Sequence, residues 1–312
     1  MLVSYIVVSF GRPSVLKECI ECISKQKYEP MEIIVVDANP EGYSRDLHLC
    51  NVEQKKLQIV RLGENRGVAG NRNVGMQYAR GDILVFIDDD ALLKDPNATQ
   101  IIVSKFQTQQ DTGALGFRSI NFYTQEIEDF PRFWIRACRI QYNDNIGNRL
   151  NKEIASTKEL EVTHFVGVGH AIRRKLLNET GLYPEGEFFY GMEEYYLSFR
   201  ILDSGYKIFY TPNVTVYHKL SPGGRVTPNE KHRLKLENKL RIAVRLMPLR
   251  YVTIWFLLRS MQTLVSTKGN FSVVFRGWKS IIRDLPKLKS ERKVLSNYTI
   301  KKIYSLGGTL LY

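Results

Sequence analysis

Three adjacent carboxylates, Asp88-Asp89-Asp90, close the apolar run Ile83–Ile87. They repel one another, and a divalent cation relieves that repulsion: Mg2+ or Mn2+ favours carboxylate oxygens and shares them readily with phosphates. The competing reading is an exposed acidic turn, or a helix N-cap cluster leading into Ala91-Leu92. Asp37 ends a second apolar run, Ile33–Val36, and this repetition favours the metal. A further acidic pair lies in Gly191-Met192-Glu193-Glu194, at the start of a helix. Both glutamates complement the helix dipole there and are expected to be ionised. Glu194 stands three residues from Leu197 and seven from Ile201, on the apolar, inward face. An inward carboxylate needs a partner or a task, and general base is a task that suits an ionised one. Glu193 shares Leu197 but also aligns with Arg200, which gives it a structural ion partner. His218 follows the strand-like Val214–Tyr217, and taken alone it reads as a structural histidine.

Other phosphate-handling machinery is excluded by its spacing. The first apolar run is followed by Phe10-Gly11-Arg12-Pro13, so the dinucleotide fingerprint is absent. Gly70 and Gly75 have the spacing of a P-loop, but Met76 and Gln77 stand where Lys and Ser or Thr are required. The glycines of Gly67-Val68-Ala69-Gly70 are read instead as a close approach of backbone to ligand. A phosphatase-like hydrolase with an aspartate nucleophile would need Thr after its Asp-x-Asp, and Ala91 stands there.

The elements that must position these groups alternate. Val3–Val8, Ile33–Val36, Leu57–Arg61 and Ile83–Ile87 read as strands, with a helix opened by Pro13-Ser14 and a glycine-rich helix over Gly67–Arg80. This order predicts an α/β fold with a mostly parallel sheet between two helical layers, ligands binding at the carboxyl ends of the strands. Asp37 and the aspartate triplet fall at such ends. Further along, Glu193–Asp203 reads as a helix closed by Gly205, and Lys207–Tyr210 as a short strand ended by Pro212. Beyond Ser221-Pro222-Gly223-Gly224 the chain becomes basic, amphipathic helix.

Charge is divided as sharply as structure. Residues 221–312 hold 19 Lys and Arg against 4 Asp and Glu, a net of +15, whereas residues 1–220 hold 26 against 28. A nucleic-acid binder with charge spread over its whole surface is not built this way. The C-terminal charge is interleaved with Trp255, Phe256, Phe271, Phe275 and Trp278, which suggests a region lying on an anionic membrane, or a basic cap on the preceding domain. Tyr251–Leu258 is an apolar run stopped by Arg259, far short of the ~20 residues of a membrane span. Met1 leads almost directly into Val3, without the features of an export signal. Cys19 and Cys22 share a helical face with Leu16 and Ile23, as core thiols of a reducing compartment do. The expected location is therefore cytoplasmic, peripheral on the inner face of the cell membrane.

With these residues in place, the chain resembles the family 2 inverting glycosyltransferases of GT-A fold. Tyr5–Val8 with Phe10–Pro13 and Glu32–Asp37 are similar to the family's opening. Asn65–Gly75 running into Gly81–Ala91 is similar to its middle block. Phe188–Glu194, with Leu197–Arg200 and Asp203–Tyr206, resembles its acceptor-side block. The resemblance covers about 1–222 and is closest in kind to rhamnosyltransferase-like enzymes of cell-surface polysaccharide. It implies a GT-A catalytic domain over 1–222, with a nucleotide-binding half, 1–100, and an acceptor-binding half, 101–222, and 223–312 as a basic helical segment. It further implies a nucleotide-diphosphate sugar donor of UDP or dTDP type, a glycan or lipid-linked acceptor, and Mg2+ or Mn2+. Asp37 would meet the pyrimidine and Arg72 the ribose or phosphates. Asp90 would hold the metal, with Asp88 nearer the ribose and His218 near metal or diphosphate. Glu194 falls where the family places its catalytic carboxylate. Gly223-Gly224-Arg225 reads as a hinge that brings Arg225 onto the diphosphate. Departures from the pattern are Gly11, Ala38 with Asn39-Pro40, and Tyr196. The non-enzymatic alternative is a degenerate nucleotide-sugar-binding module at a membrane surface, and an intact Asp88/Asp90 pair with Glu194 argues against it.

Overall fold

Continuous β-branched and aromatic runs are buried on both faces only when helices cover both sides of a sheet, and the first strands are sequences of that kind. In the computed structural model, residues 1–40, 56–128, 156–184, 186–221, 226–308 and 310 are described. The chain runs β1 (Val3–Ser9), α1 (Pro13–Ser24), β2 (Met31–Asp37), β3 (Leu57–Arg61), α2 (Gly67–Tyr78), β4 (Ile83–Asp88), β5 (Ala91–Leu92), α3 (Ala98–Thr108) and β6 (Thr112–Asn121). It continues with β7 (Leu160–Glu161), β8 (Gly169–Arg173), a helical turn at Leu177–Thr180, α4 (Glu193–Asp203), β9 (Lys207–His218), α5 (Pro228–Leu246), α6 (Leu249–Ser266), α7 (Phe271–Ser290) and α8 (Asn297–Ser305).

The described strands form one sheet in the order β3-β2-β1-β4-β8-β6-β9-β5, with β7 beside β9. The β3-β2-β1-β4 half is parallel. β8 enters antiparallel between β4 and β6, and β6 and β9 are parallel again. Alternate residues of one strand serve opposite layers, as a two-residue period requires. On β1, Tyr5 and Val7 pack with Leu16, Ile20 and Phe106 beneath α1 and α3, whereas Ile6 packs with Ala69 and Val74 of α2.

β9 differs from the sequence expectation. It runs from Lys207 to His218 as one strand, and Pro212 does not end it. Pro212 sits where the register with β6 slips: Phe117 pairs Thr211, but the next residue, Arg118, pairs Thr215. A bulge is where a strand tolerates a residue without an N–H. The continuation past Pro212 is what lets β9 reach β5, pairing Ala91 with His218.

The C-terminal helices share the main core. Ile242, Ala243, Leu246, Trp255, Ile300 and Ile303 belong to the same apolar cluster as Ile6, Phe86 and Leu197. The outer face of α6 and α7 is different, for Leu257, Met261, Val265, Phe271, Phe275 and Ile282 are exposed. Among the described residues, no helix is long and apolar enough to cross a membrane.

Candidate active site

The triplet closes β4 between two guanidiniums, Arg72 on Asp88 and Arg12 on both Asp89 and Asp90. Asp88 accepts from Arg72 Nη2 at 3.1 Å. Asp89, fully buried, lies 2.6 Å from Arg12 Nη2. Its carboxyl is pushed up to about 7, by burial above all, despite the opposing charge of Arg12. Asp90 faces both Arg12 and His218, whose Nε2 is 3.3 Å from its Oδ1. Burial would raise the Asp90 carboxyl, but His218 and Arg12 outweigh it and hold it below the usual range. The mutual repulsion inferred from sequence is thus met in part by two arginines, and Arg12 had carried no assigned role.

The β5–β9 pairing sets His218 beside Asp90, and Lys219 N donates to the Asp90 carbonyl at 2.8 Å. His218 Nδ1 lies 2.7 Å from Glu128 Oε2, and Glu128 also accepts from Ser119 and Asn121. Burial disfavours the imidazolium, yet the bonds and charges of Asp90, Asp88 and Glu128 push His218 up to about 9. With Nδ1 held by Glu128, the ring turns Nε2 toward Asp90, and a cation bound there would have to displace the proton that the carboxylates favour. Ligand atoms of Asp88, Asp90 and His218 all lie within 4.8 Å of one another. Two carboxylate oxygens and an imidazole nitrogen at that spacing fit Mg2+ or Mn2+.

Arg72, buried in α2, joins this group to the acidic pair. It donates to Asp88, to the Gly167 carbonyl at 2.9 Å, and from Nη1 to Glu193 at 3.3 Å and Glu194 at 3.5 Å. The sequence pairing of Glu193 with Arg200 does not form. Arg200 donates instead to the carbonyls of Thr180 and Glu179. Glu193 is also the more buried of the two, and burial together with the neighbouring Glu194 charge pushes its carboxyl well above the usual range. At Glu193 burial therefore works against the helix dipole and the Arg72 charge, which favour the ionised form.

Glu194 rests against a glycine. A Cβ on Gly167 would stand 2.0 Å from Glu194 Oε1, so no other residue leaves the carboxylate where it is. Gly67 likewise faces the Phe189 backbone, where a Cβ would meet the carbonyl oxygen at 2.5 Å. The close approach read from sequence at Gly67 includes one to the chain's own loop, and Gly67 also lines the cavity. Asp37 is buried at the end of β2 and accepts from Asn39 N at 3.0 Å and Nδ2 at 2.7 Å. Asn39 in turn accepts from Gly11 N, fixing the β1–α1 turn beside Arg12. Arg225 lies outside the described residues.

These groups open into a cavity of about 700 Å3. Arg12, Arg72, Asp88, Asp90, Glu194 and His218 line one side, and Asp37 does not line it. His164, stacked on Tyr195 at 4.3 Å, with Phe189, Tyr190 and Trp255, gives the cavity flat apolar faces. The far side comes from α5 and α6, which the sequence had set apart from the site.

Comparison with known proteins agrees with this architecture. Residues 4–181 match glycosyl transferase family 2. The glucosyl-dolichyl phosphate glucuronosyltransferase of Haloferax volcanii is 27% identical over 233 residues, 70% of this chain and 70% of that protein. TarS 1–349 of S. aureus, in complex with UDP-GlcNAc, superposes with a TM-score of 0.57 over 99% of this chain and 93% of that one, at 14% identity. A mannosyltransferase of Pyrobaculum calidifontis, in complex with GDP-Man and Mn2+, gives 0.56 over 99% and 84%, at 16% identity. With the family match covering more than half the chain and both enzyme structures sharing its architecture, the protein belongs to glycosyl transferase family 2 and has the GT-A fold.

Proposed function

We propose that the protein transfers a sugar, with inversion and with a divalent metal, from a nucleotide-diphosphate donor of UDP or dTDP type to a hydroxyl of a glycan or lipid-linked acceptor. The observation that carries this is the convergence of Asp88, Asp90 and His218 in one cavity with Glu194. Solved relatives holding UDP-GlcNAc, or GDP-Man with Mn2+, support the donor and metal classes, and the dolichyl phosphate in a relative's name supports a lipid-linked acceptor. Asp90, Asp88 and His218 would hold Mg2+ or Mn2+, and a metal bound there supplies positive charge against the departing diphosphate. Glu194 takes the proton of the acceptor hydroxyl as that oxygen attacks the anomeric carbon. Arg72 fixes the Glu194 carboxylate and Asp88 from one guanidinium. Asp37, held by Asn39 outside the cavity lining, would meet the pyrimidine only if the base extends past the cavity toward the end of β2; Arg225 is assigned to the diphosphate.

The exposed apolar stripe Phe271, Phe275, Trp278 and Ile282 on α7, with exposed Arg276, Lys279 and Arg283 beside it, supports docking on an anionic membrane, on its cytoplasmic side. The test of the activity is release of nucleoside diphosphate from a panel of UDP- and dTDP-sugars, with and without EDTA. Release that depends on both sugar and metal is expected. Full release in EDTA contradicts the metal's role, and no release from any donor in the presence of Mn2+ contradicts the activity.

A further inference from the structure

The cavity wall facing the carboxylates is cationic. Lys231, Lys235 and Lys239 recur every four residues on one side of α5, a row of about 12 Å at 1.5 Å per residue, and all three line the cavity half-buried. Arg259, from α6, joins them and lies over the Trp255 ring at 4.8 Å. The acidic residue of this stretch of α5, Glu237, is engaged elsewhere, with Arg233 and Arg241. Among the described residues, neither Lys235 nor Lys239 has a carboxylate partner, and the bond that Lys239 makes is to Gln262 Oε1 at 3.5 Å. Burial first, then the charges of Arg259 and Lys235, push the Lys239 ammonium down to about 8. Lys235 and Lys239, like charges one turn apart and half-buried, are unfavourable neighbours unless an anion joins them.

The row is on the acceptor side of the cavity. The Lys235 side chain lies beside Gly191, within 3.6 Å of where its Cβ would be, two residues before Glu193. Asn238, one turn on, donates to the Gly191 carbonyl at 2.7 Å. At its other end the row meets Gln262, whose neighbours along the α6 surface, at the helical spacings of four back and three on, are Leu258 and Val265. Both are exposed, as is Met261. The wall therefore passes from cations beside the proposed base to an apolar surface outside.

We infer that Lys231, Lys235 and Lys239 with Arg259 form the anion subsite of the acceptor, and that it takes the phosphate or diphosphate of an amphiphile whose apolar tail leaves over α6. This rests on the transferase reading and narrows its acceptor to lipid-linked phosphates. The sugar-bearing end lies toward Glu194, the phosphates lie along the lysine row, and the tail lies on Leu258, Met261 and Val265.

The test is calorimetric titration of the full chain, saturated with Mn2+ and UDP so that the donor site is filled, with geranyl diphosphate, geraniol and inorganic pyrophosphate. Geranyl diphosphate should bind at least tenfold more tightly than either fragment. The double variant Lys235→Gln/Lys239→Gln should lose at least tenfold of that affinity, while Lys17→Gln, exposed on α1, should not. Equal binding of geraniol overturns the anion subsite, equal binding of pyrophosphate overturns the tail's path, and an unchanged double variant overturns the assignment of the row. Should the double variant not fold, the three-probe comparison on the unaltered chain decides alone. Failure of the donor reading shows separately, as no metal-dependent binding of UDP or dTDP. The geranyl diphosphate titration without nucleotide still reads the row in that case.

Discussion

Glu194 and Glu193 are adjacent, touch the same guanidinium and differ in setting. Both line the cavity, but Glu194 is the more open of the two, and burial with the neighbouring Glu194 charge pushes the Glu193 carboxyl upward. Removing a general base costs about 10²–10⁴-fold in rate. Glu194→Gln is expected to lose turnover by that order while still binding donor with metal, because the base meets the acceptor. Glu193→Gln keeps an acceptor for Arg72 and removes no group assigned to the proton transfer, so it should cost turnover much less. Near-normal turnover of Glu194→Gln, with loss in Glu193→Gln, would reverse the assignment. Gly167 gives an independent check on the same carboxylate. Gly167→Ala places a methyl group where Glu194 Oε1 lies, so turnover should fall at least tenfold with little change in melting temperature. A fully active Gly167→Ala enzyme would mean that the position of Glu194 does not matter. At this scale the aspartates and Glu194 were legible in the sequence because each stands where an apolar pattern stops or turns inward. Arg12, Glu128 and Gly167 were not legible. Their roles come from contacts across 78, 90 and 27 residues of chain, and no local pattern records such contacts.

At the scale of elements, the first four strands and two helices were readable because their apolar runs are continuous and their breaks abrupt. β9 was misread at Pro212, since a proline in a bulge looks the same in sequence as one that ends a strand. α5 was read as part of a basic region that either lies on a membrane or caps the preceding domain, and its burial against the main core fits the cap. Its arginines are spent inward: Arg245 pairs with Glu187 at 2.5 Å and with Glu291, and Arg241 with Asp284 at 2.7 Å. Breaking a buried pair by removing one partner costs about 3–5 kcal/mol. Arg245→Ala should lower the denaturant midpoint by a loss of that order, in a single transition with the catalytic domain. A separate early transition, leaving the sheet's unfolding unchanged, would show the C-terminal helices to be a detachable segment.

For the whole molecule, the proposed membrane docking predicts an orientation. Exposed Lys268, Arg276, Lys279 and Arg283 flank the exposed apolar stripes of α6 and α7, so on the membrane proposal those helices should meet an anionic bilayer. Binding to phosphatidylserine-containing vesicles in a sedimentation assay should be strong at low salt and weaken as salt rises, since exposed charges are screened beyond about 8 Å at physiological ionic strength. Phe275→Ser with Trp278→Ser should reduce the sedimented fraction at every salt concentration. Equal sedimentation with neutral and anionic vesicles would contradict this orientation.

The most direct test of the whole account is calorimetry of Mn2+ binding in the presence of UDP or dTDP, comparing wild type with Asp90→Ala. The account predicts one metal site in the wild type that depends on the nucleotide. It also predicts stabilisation of the fold by about 2.7 kcal/mol when the ligand is at a hundred times its dissociation constant. Both should be lost in Asp90→Ala, with its own unfolding still cooperative. Undiminished Mn2+–nucleotide binding to Asp90→Ala would contradict the placement of the metal, and with it the reading of the site.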